Sequence, residues 1–129
     1  MRRFVLLLLM VGGLSGTASA DGSPETTLQV QSWCKDIANA SISSNGSFEL
    51  PATRDNGFCW GAFAAIQELS RVVLRDKRLA LEVCSPAEST RIEYIKIFMR
   101  YSGDHPEVGH DYFALVALSA LQQAFPCSQ

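Results

Sequence analysis

The sequence predicts an all-α fold, a compact bundle of about four helices tied by two disulfides. Three observations lead to this prediction. Apolar residues recur at helical spacing in four segments of the chain. No segment has the pattern that is typical of a strand. The four cysteines all follow a predicted export signal, and exported small domains form disulfides.

The N-terminal residues have the pattern of a cleavable secretory signal. Arg2 and Arg3 form a positive start, residues 4–11 are an unbroken apolar run, and Ala18-Ser19-Ala20 supplies the small residues that a signal peptidase requires. The apolar run is shorter than the roughly 20 residues that span a bilayer. We therefore expect a signal peptide over residues 1–20 and a single domain over residues 21–129, with an uncleaved anchor as the alternative.

The charge balance does not indicate a nucleic-acid or membrane partner. The chain has 11 basic and 13 acidic residues and a formal net charge of −2. Loss of the signal, which carries two arginines and no acidic residue, makes the domain more acidic still. A mildly acidic domain without a basic run gives no reason to expect nucleic acid or an anionic membrane as partner. No later apolar stretch approaches membrane-spanning length, so we expect no membrane contact after signal cleavage.

Two helices are predicted on either side of a long loop. Apolar spacing predicts helix one over residues 26–40, and a segment rich in Ser, Asn and Gly predicts a loop over 41–57, with Phe48 and Leu50 tucked against the core. Helix two is predicted to begin at a cap, Asp55 or Asn56, and to carry its apolar stripe as far as Leu79. Another helix could approach closely at its small residues, which are Gly61, Ala62, Ala64 and Ala65.

Two further helices are predicted in the C-terminal half. Ser85-Pro86-Ala87-Glu88 has the capping pattern of a helix start, so helix three is predicted from there to about Ser102, with Gly103 ending it. His105-Pro106-Glu107 predicts a sharp turn. Helix four is predicted over residues 106–124 and is apolar nearly all round, which predicts that it is buried among the others.

The helix order predicts how the cysteines pair. Cys34 lies late in helix one and Cys59 in the first turn of helix two, so an antiparallel arrangement brings them together. Cys84 at the start of helix three and Cys127 just after helix four lie at one end of the bundle. We therefore predict the pairs Cys34–Cys59 and Cys84–Cys127 over the other two connectivities. Zinc binding is the alternative, but there is no CxxC pair and no histidine at ligand spacing from a cysteine.

The sequence offers little catalytic chemistry. His105 and His110 are its two histidines, each next to an aspartate, and neighbours in sequence do not face one another on a helix. With the cysteines oxidised no thiolate nucleophile remains, and no nucleophile elbow, metalloprotease, phosphate-loop or calcium-loop motif is present. We therefore predict that the protein is not an enzyme and needs no metal or cofactor.

Two other functional features remain open. Asn39-Ala40-Ser41 and Asn45-Gly46-Ser47 fit the N-glycosylation pattern, which matters in a eukaryotic secretory pathway and is common by chance. A set of aromatic residues at helical spacing favours a packed core over a ligand cage, although a helical shell could enclose an apolar ligand. These aromatic residues are Trp33, Trp60, Phe63, Phe98, Tyr101 and Phe113.

A series of short motifs covers nearly all of the mature chain. Helix one carries a cysteine, helix two opens with Cys-x-Gly, a Cys-x-Pro cap and a His-Pro-Glu turn follow, and the chain ends with Ala-Phe-Pro-Cys. In this order the motifs resemble those of the Rap/Tai family of periplasmic immunity proteins against type VI secretion amidase effectors. The residues that carry the resemblance are Cys34, Phe58-Cys59-Trp60-Gly61-Ala62-Phe63, Cys84-Ser85-Pro86, His105-Pro106-Glu107 and Ala120-Leu121-Gln122-Gln123-Ala124-Phe125-Pro126-Cys127.

The resemblance implies a periplasmic protein that binds a Cys-His peptidoglycan amidase and occludes its active site without any catalysis of its own. It also implies that a homodimer is possible. The alternatives are a small periplasmic chaperone or apolar-ligand carrier, and an enzyme that uses His105 or His110. A rigid scaffold with a protruding loop or helix end suits occlusion, so we look for contacts in the 43–55 loop and on the charged face of helix two. The candidate partner-binding residues are Asn45, Phe48, Glu49, Arg54, Glu68, Arg71 and Arg75.

Overall fold

The computed structural model describes residues 25–128, and the predicted signal peptide lies outside them. Four α-helices follow one another in this range: α1 (Thr27–Ala38), α2 (Arg54–Ser70), α3 (Arg91–Asp104) and α4 (Phe113–Ala124). A short 3-10 helix, Pro106–His110, lies between α3 and α4. Apart from two isolated β-bridges, residues 25–128 contain no strand. The prediction of an all-α fold is confirmed.

A threonine caps each of the first three helices. The side-chain oxygens of Thr26, Thr53 and Thr90 accept hydrogen bonds from the backbone N–H three residues further on, at 3.4, 3.1 and 3.2 Å. Each bond satisfies a donor that has no partner within its own helix. Asp55 and Asn56, the predicted caps of helix two, therefore lie inside its first turn.

The prediction that helix two continues to Leu79 is wrong, because α2 ends at Ser70. The Ser70 hydroxyl donates to the Gln67 carbonyl at 2.8 Å and lies 3.0 Å from the Tyr94 hydroxyl. The chain then reverses in an antiparallel turn over residues 72–80, in which the Ala80 N–H donates to the Val72 carbonyl at 2.8 Å. We call this segment the 72–80 hairpin. Its apolar residues continue the helical spacing of the sequence, but they do not form a helix.

The predicted start of helix three at Ser85-Pro86 is also wrong, because α3 begins at Arg91. The residues after Pro86 form one turn, closed by a 3.1 Å hydrogen bond from the Ser89 N–H to the Pro86 carbonyl. Gln67 on α2 then donates to the Ser89 carbonyl at 2.9 Å, which holds the segment as a turn. Thr90 supplies the cap that the helix uses. At its other end α3 continues through Gly103 to Asp104.

Helix four is shorter than predicted and is not buried on all sides. The Thr27 N–H donates to the Asp111 carbonyl, and the Phe113 N–H donates to the Glu25 carbonyl, both at 2.9 Å. This pairing with the start of α1 holds Asp111 and Tyr112 in an extended segment, so α4 begins only at Phe113. Its outer face is exposed, and 61% of Leu115 is accessible to solvent.

The core lies between α1 and α3. Each of these two helices contacts α2 and also α4. At its centre the rings of Phe63, Phe98 and Phe113 have centroids 5.4 to 5.6 Å apart, with tilted and edge-to-face geometries. Such aromatic contacts add to the free energy gained by burying the rings. The buried α1 side chains Val30 and Ile37 pack against the same cluster.

Both predicted disulfides are present. Cys34 joins Cys59, with Cα atoms 5.3 Å apart, and links α1 to α2. Cys84 joins Cys127, with Cα atoms 5.0 Å apart, and links the segment before α3 to the tail after α4. The prediction that Phe48 and Leu50 pack against the body of the protein is also confirmed, since both are half-buried. Within residues 25–128 no helix is long and apolar enough to cross a membrane.

Candidate partner-binding surface

The predicted partner-binding residues form two groups at opposite ends of α2. Asn45, Phe48 and Glu49 lie in the loop before α2, and Arg54 is its first residue. Glu68 lies in its last turn, and Arg71 and Arg75 follow it. Arg54 and Glu68 are about 21 Å apart along the helix axis, at a rise of about 1.5 Å per residue. The structure therefore does not bring all seven residues into one cluster.

An exposed apolar stripe on α2 joins the two groups, and the sequence did not indicate it. Phe58 is 38% exposed and Leu69 is 48% exposed. Val72, just beyond the end of the helix, is 42% exposed. Gly61 and Ala65 lie between them at the three- and four-residue spacing of one helix face, and both are exposed. We call these five residues the α2 stripe. Arg54 and Glu68 lie on the same face, so charged side chains flank the stripe.

Among the small residues of α2, Gly61 contacts no other element of the described chain, whereas Ala62 packs against the core. A side-chain carbon placed on Gly61 would have no atom within 4 Å apart from its chain neighbours and its own helix backbone, so the described part of the chain leaves this position uncovered. The sequence predicted that another helix could approach closely here. In the structure that space faces outward, and a separate molecule could occupy it.

Hydrogen bonds within the loop before α2 fix its conformation. The side-chain oxygen of Asn45 accepts from the Ser47 N–H at 3.1 Å and from the Ser47 hydroxyl at 2.6 Å, and Ser43 also donates to it. Gly46 adopts a φ of 78°, a left-handed conformation that glycine adopts without steric cost. The carbonyl of the Asn45 side chain is thus used within its own turn, which limits what it can offer a partner.

Phe48 packs inward rather than toward a partner. Its ring centroid lies 5.4 Å from that of Trp60, and the Arg91 guanidinium lies 4.5 Å from the Trp60 centroid. A cation over the face of a tryptophan is attracted by the ring quadrupole. Phe48 therefore helps to fasten the loop to the helices, and Glu49 is the exposed charged residue beside it.

The 72–80 hairpin protrudes after α2 and is held by backbone hydrogen bonds. Val73 pairs with Leu79, the Leu74 N–H donates to the Arg78 carbonyl at 2.7 Å, and Lys77 turns the chain with a φ of 67°. Val73 and Leu74 are exposed apolar residues in this segment. The hairpin thus presents apolar side chains on a backbone that is already ordered.

The hairpin is also the most basic part of the described chain. Asp76 and Arg78 form an ion pair, with Nε and Oδ2 2.8 Å apart. The Arg78 side chain and its backbone N–H, which both donate to the Asp76 carboxylate, hold the pKa of Asp76 below its ordinary value. The exposed basic residues in and beside the hairpin are Arg71, Arg75, Lys77 and Arg78.

The two histidines lie on another part of the surface. The His105 ring stacks near Tyr101, with centroids 4.5 Å apart, and its Nδ1 lies 3.0 Å from a Glu107 carboxylate oxygen. A hydrogen bond from its own backbone, together with the His105 ring, holds the pKa of Glu107 below its ordinary value. His110 ends the 3-10 helix and lines a cleft of about 500 Å³ with Tyr112 and Leu115. The His110 ring forms no side-chain hydrogen bond with the other described residues, so the structure shows no dyad that would activate it.

The family model of the Rap1a immunity proteins matches residues 26–127, which is almost the whole of the described range. No curated protein and no solved structure gives a match.

Proposed function

The chain belongs to the family of Rap1a immunity proteins, and from that premise we propose that it is exported to the periplasm and there binds and occludes a type VI secretion peptidoglycan amidase. An immunity protein acts on a secreted effector by binding it, so the function requires a surface and no catalysis. The amidase would hydrolyse the cell wall of the cell that receives it. Export by a cleavable signal would place the immunity protein in the compartment where that wall is exposed.

The observation that supports the proposal best is the α2 stripe with its charged flanks. Protein interfaces have an apolar centre that loses water and a polar rim that stays accessible. The stripe supplies the centre, and Arg54, Glu68 and Arg71 supply the rim. A few central apolar residues carry most of the binding free energy in such interfaces, so Phe58 and Leu69 would be the main contributors.

The 72–80 hairpin is the element best suited to enter the amidase cleft. Its backbone hydrogen bonds already fix its shape, so less conformational entropy would be lost on binding. Leu74 and Val73 would contact the walls of the cleft. Arg75 and Lys77 would meet acidic residues at its edge, because complementary charge speeds association and selects the partner.

The same surface would serve a homodimer, which membership of the family also suggests. Two copies packed antiparallel through the α2 stripe would bring Gly61 of each close to Ala65 of the other, and Asp55 of each close to Arg71 of the other. Light scattering of the free protein tests this. A dimer that Leu69→Glu converts to a monomer supports the shared surface, and a dimer that this variant leaves intact contradicts it.

The internal packing does not favour the carrier alternative. The three phenylalanine rings at the centre contact one another at 5.4 to 5.6 Å, in the space that an apolar ligand would have to occupy. Close-packed interiors leave few voids larger than a water molecule. A chaperone that uses the α2 stripe remains an alternative, and it would bind unfolded chains in preference to one folded enzyme.

The test is to co-express the exported protein with each secreted Cys-His amidase encoded beside its gene. We expect a complex that co-purifies from the periplasm, protection of the cells from lysis, and loss of peptidoglycan hydrolysis at equimolar ratio. An amidase that stays active in the complex would contradict occlusion but not binding. No complex and no protection with any of these amidases would contradict the proposed function.

A further inference from the structure

The two disulfides differ in their exposure to solvent. Cys34 and Cys59 are both 0% exposed, whereas Cys84 and Cys127 are both exposed. From this difference we propose that Cys84–Cys127 is a thiol–disulfide exchange site, which reacts with dithiols while the protein stays folded and while Cys34–Cys59 stays closed. The proposal does not depend on the identity of the effector.

The first requirement for exchange is access to sulfur. Cys84 and Cys127 line an open cleft of about 620 Å³ between the 72–80 hairpin side of the molecule and the C-terminal tail. An attacking thiolate must approach one sulfur of the bond, so its rate depends on this access. At Cys34–Cys59 the surrounding core side chains, Val30 and Phe63 among them, leave no such approach in the folded state.

The second requirement is an environment that accepts thiolates. Lys77 and Arg78 line the same cleft, with Glu82 as the acidic residue beside them. Arg78 is already paired, with Asp76 at 2.8 Å and with Glu82 at 3.6 Å. Within residues 25–128 Lys77 forms no ion pair, so its positive charge can stabilise a thiolate, both the attacking one and the one released.

The reaction balances as two exchange steps with a dithiol. The thiolate of the dithiol attacks one sulfur of Cys84–Cys127, forms a mixed disulfide and releases the other cysteine as a thiolate. The second thiol of the reagent, once deprotonated, attacks the mixed disulfide, releases the remaining cysteine and leaves with its own two sulfurs joined. The protein bond gains two electrons and two protons, and the dithiol loses them.

The surrounding contacts would keep the fold after this bond opens. The Cys84 N–H donates to the Phe125 carbonyl at 2.9 Å, and Gln122 donates to the Leu81 carbonyl at 3.0 Å. Val83 is buried in the core, 1% exposed. These contacts tie the segment before α3 to the end of α4 without the disulfide. Opening would therefore release the last residues of the tail and leave the helices in place.

The test treats the full exported protein with dithiothreitol under native conditions and traps thiols with iodoacetamide at successive times. We call Cys84–Cys127 the outer pair and Cys34–Cys59 the inner pair. We expect the outer pair to be alkylated at least about ten times faster than the inner pair, and the helical circular dichroism to be retained while the outer pair reacts. Equal rates for the two pairs, or faster reaction of the inner pair, would overturn the proposal.

Two variants complete the design. Cys84→Ser/Cys127→Ser should release no thiol during the period in which the unmodified protein reacts, because the inner bond is its remaining disulfide. Lys77→Gln should slow alkylation of the outer pair without altering the circular dichroism. An unchanged rate in Lys77→Gln would contradict the electrostatic part of the inference. Rapid thiol release from the double variant would contradict the inference as a whole.

Discussion

The region around Cys34–Cys59 and the region around Cys84–Cys127 use the same covalent bond in different ways. The inner bond lies inside the core, between two helices, and its sulfur atoms pack like other apolar groups. The outer bond lies at the surface and fastens a non-helical segment to the tail. The comparison shows that a disulfide's contribution depends on what surrounds it as well as on the loop it closes.

Two physical arguments rank these bonds in opposite order. The bonds join cysteines 25 and 43 residues apart. The chain-entropy argument favours the longer, outer loop by only about 0.5 kcal/mol. The burial argument favours the inner bond, because its removal also disturbs close packing in the core. The second term is larger, so we expect the inner bond to contribute more stability.

The largest expected effect comes from the core to which the inner bond belongs. Phe98→Ala removes the buried ring that contacts both Phe63 and Phe113, and the free energy of unfolding should fall by about 3–5 kcal/mol. Denaturant unfolding followed by circular dichroism measures it. The matched control is Leu115→Ala, an exposed apolar residue on α4, which should change stability by less than about 0.5 kcal/mol. A similar loss in both variants would contradict the assignment of the core.

The next effect separates the two disulfides. Cys34→Ala/Cys59→Ala should lower the free energy of unfolding by about 4 kcal/mol, and Cys84→Ala/Cys127→Ala by about 2 kcal/mol. Both are measured by urea unfolding of the same exported domain. If the outer pair proves the more stabilising, chain entropy alone accounts for the two bonds and burial does not.

A smaller effect comes from a hydrogen-bonded tyrosine that joins the two regions. The buried Tyr94 hydroxyl lies 3.0 Å from that of Ser70 at the end of α2 and 2.6 Å from that of Ser85 beside the outer bond. Tyr94→Phe should lower the free energy of unfolding by about 1 kcal/mol and speed hydrogen exchange in residues 81–85. Ser85→Ala leaves the Ser70 contact and should do less. A larger loss in Ser85→Ala would contradict this order.

The smallest effect is electrostatic and confined to the hairpin. The pKa of Asp76 is below its ordinary value because Arg78 donates to its carboxylate. A lowered folded pKa means that this ion pair stabilises the hairpin above the ordinary pKa and is lost as the pH falls through the lowered one. Carbon NMR of Asp76 should show this low midpoint, and Arg78→Gln should raise it part of the way toward the ordinary value, because the backbone N–H of residue 78 still donates to the carboxylate. An unchanged midpoint in Arg78→Gln would contradict the assigned cause.

Sequence patterns predicted the inner region better than the outer one. The apolar periodicity predicted the ends of α1 to within two residues, because a helix depends on local spacing. The order of the helices predicted both disulfide pairs, because antiparallel neighbours bring those cysteines together. The segment from Arg71 to Thr90 was predicted as helix at both ends and forms a hairpin and a turn. Long-range hydrogen bonds to Tyr94 and from Gln67 decide its path, and local pattern does not show them.

The candidate site was predicted only in part, for a similar reason. The charged residues at the two ends of α2 were identified by their polarity. Leu69 and Val72 have the spacing of core residues, so the sequence suggests that they are buried. In the structure both are exposed. Whether a helix face is buried depends on where the remaining helices pack. The α2 stripe therefore became visible only in the structure.

The most direct test of the proposed binding surface is the affinity of the amidase for two matched variants. Leu69→Glu places a charge in the α2 stripe, and Leu115→Glu places the same charge on the exposed face of α4. We expect Leu69→Glu to raise the Kd at least about thirtyfold, a loss of about 2 kcal/mol, and Leu115→Glu to leave it within about twofold. The opposite result, an unchanged Kd in Leu69→Glu and a weakened complex in Leu115→Glu, would place the interface on α4 and contradict the account.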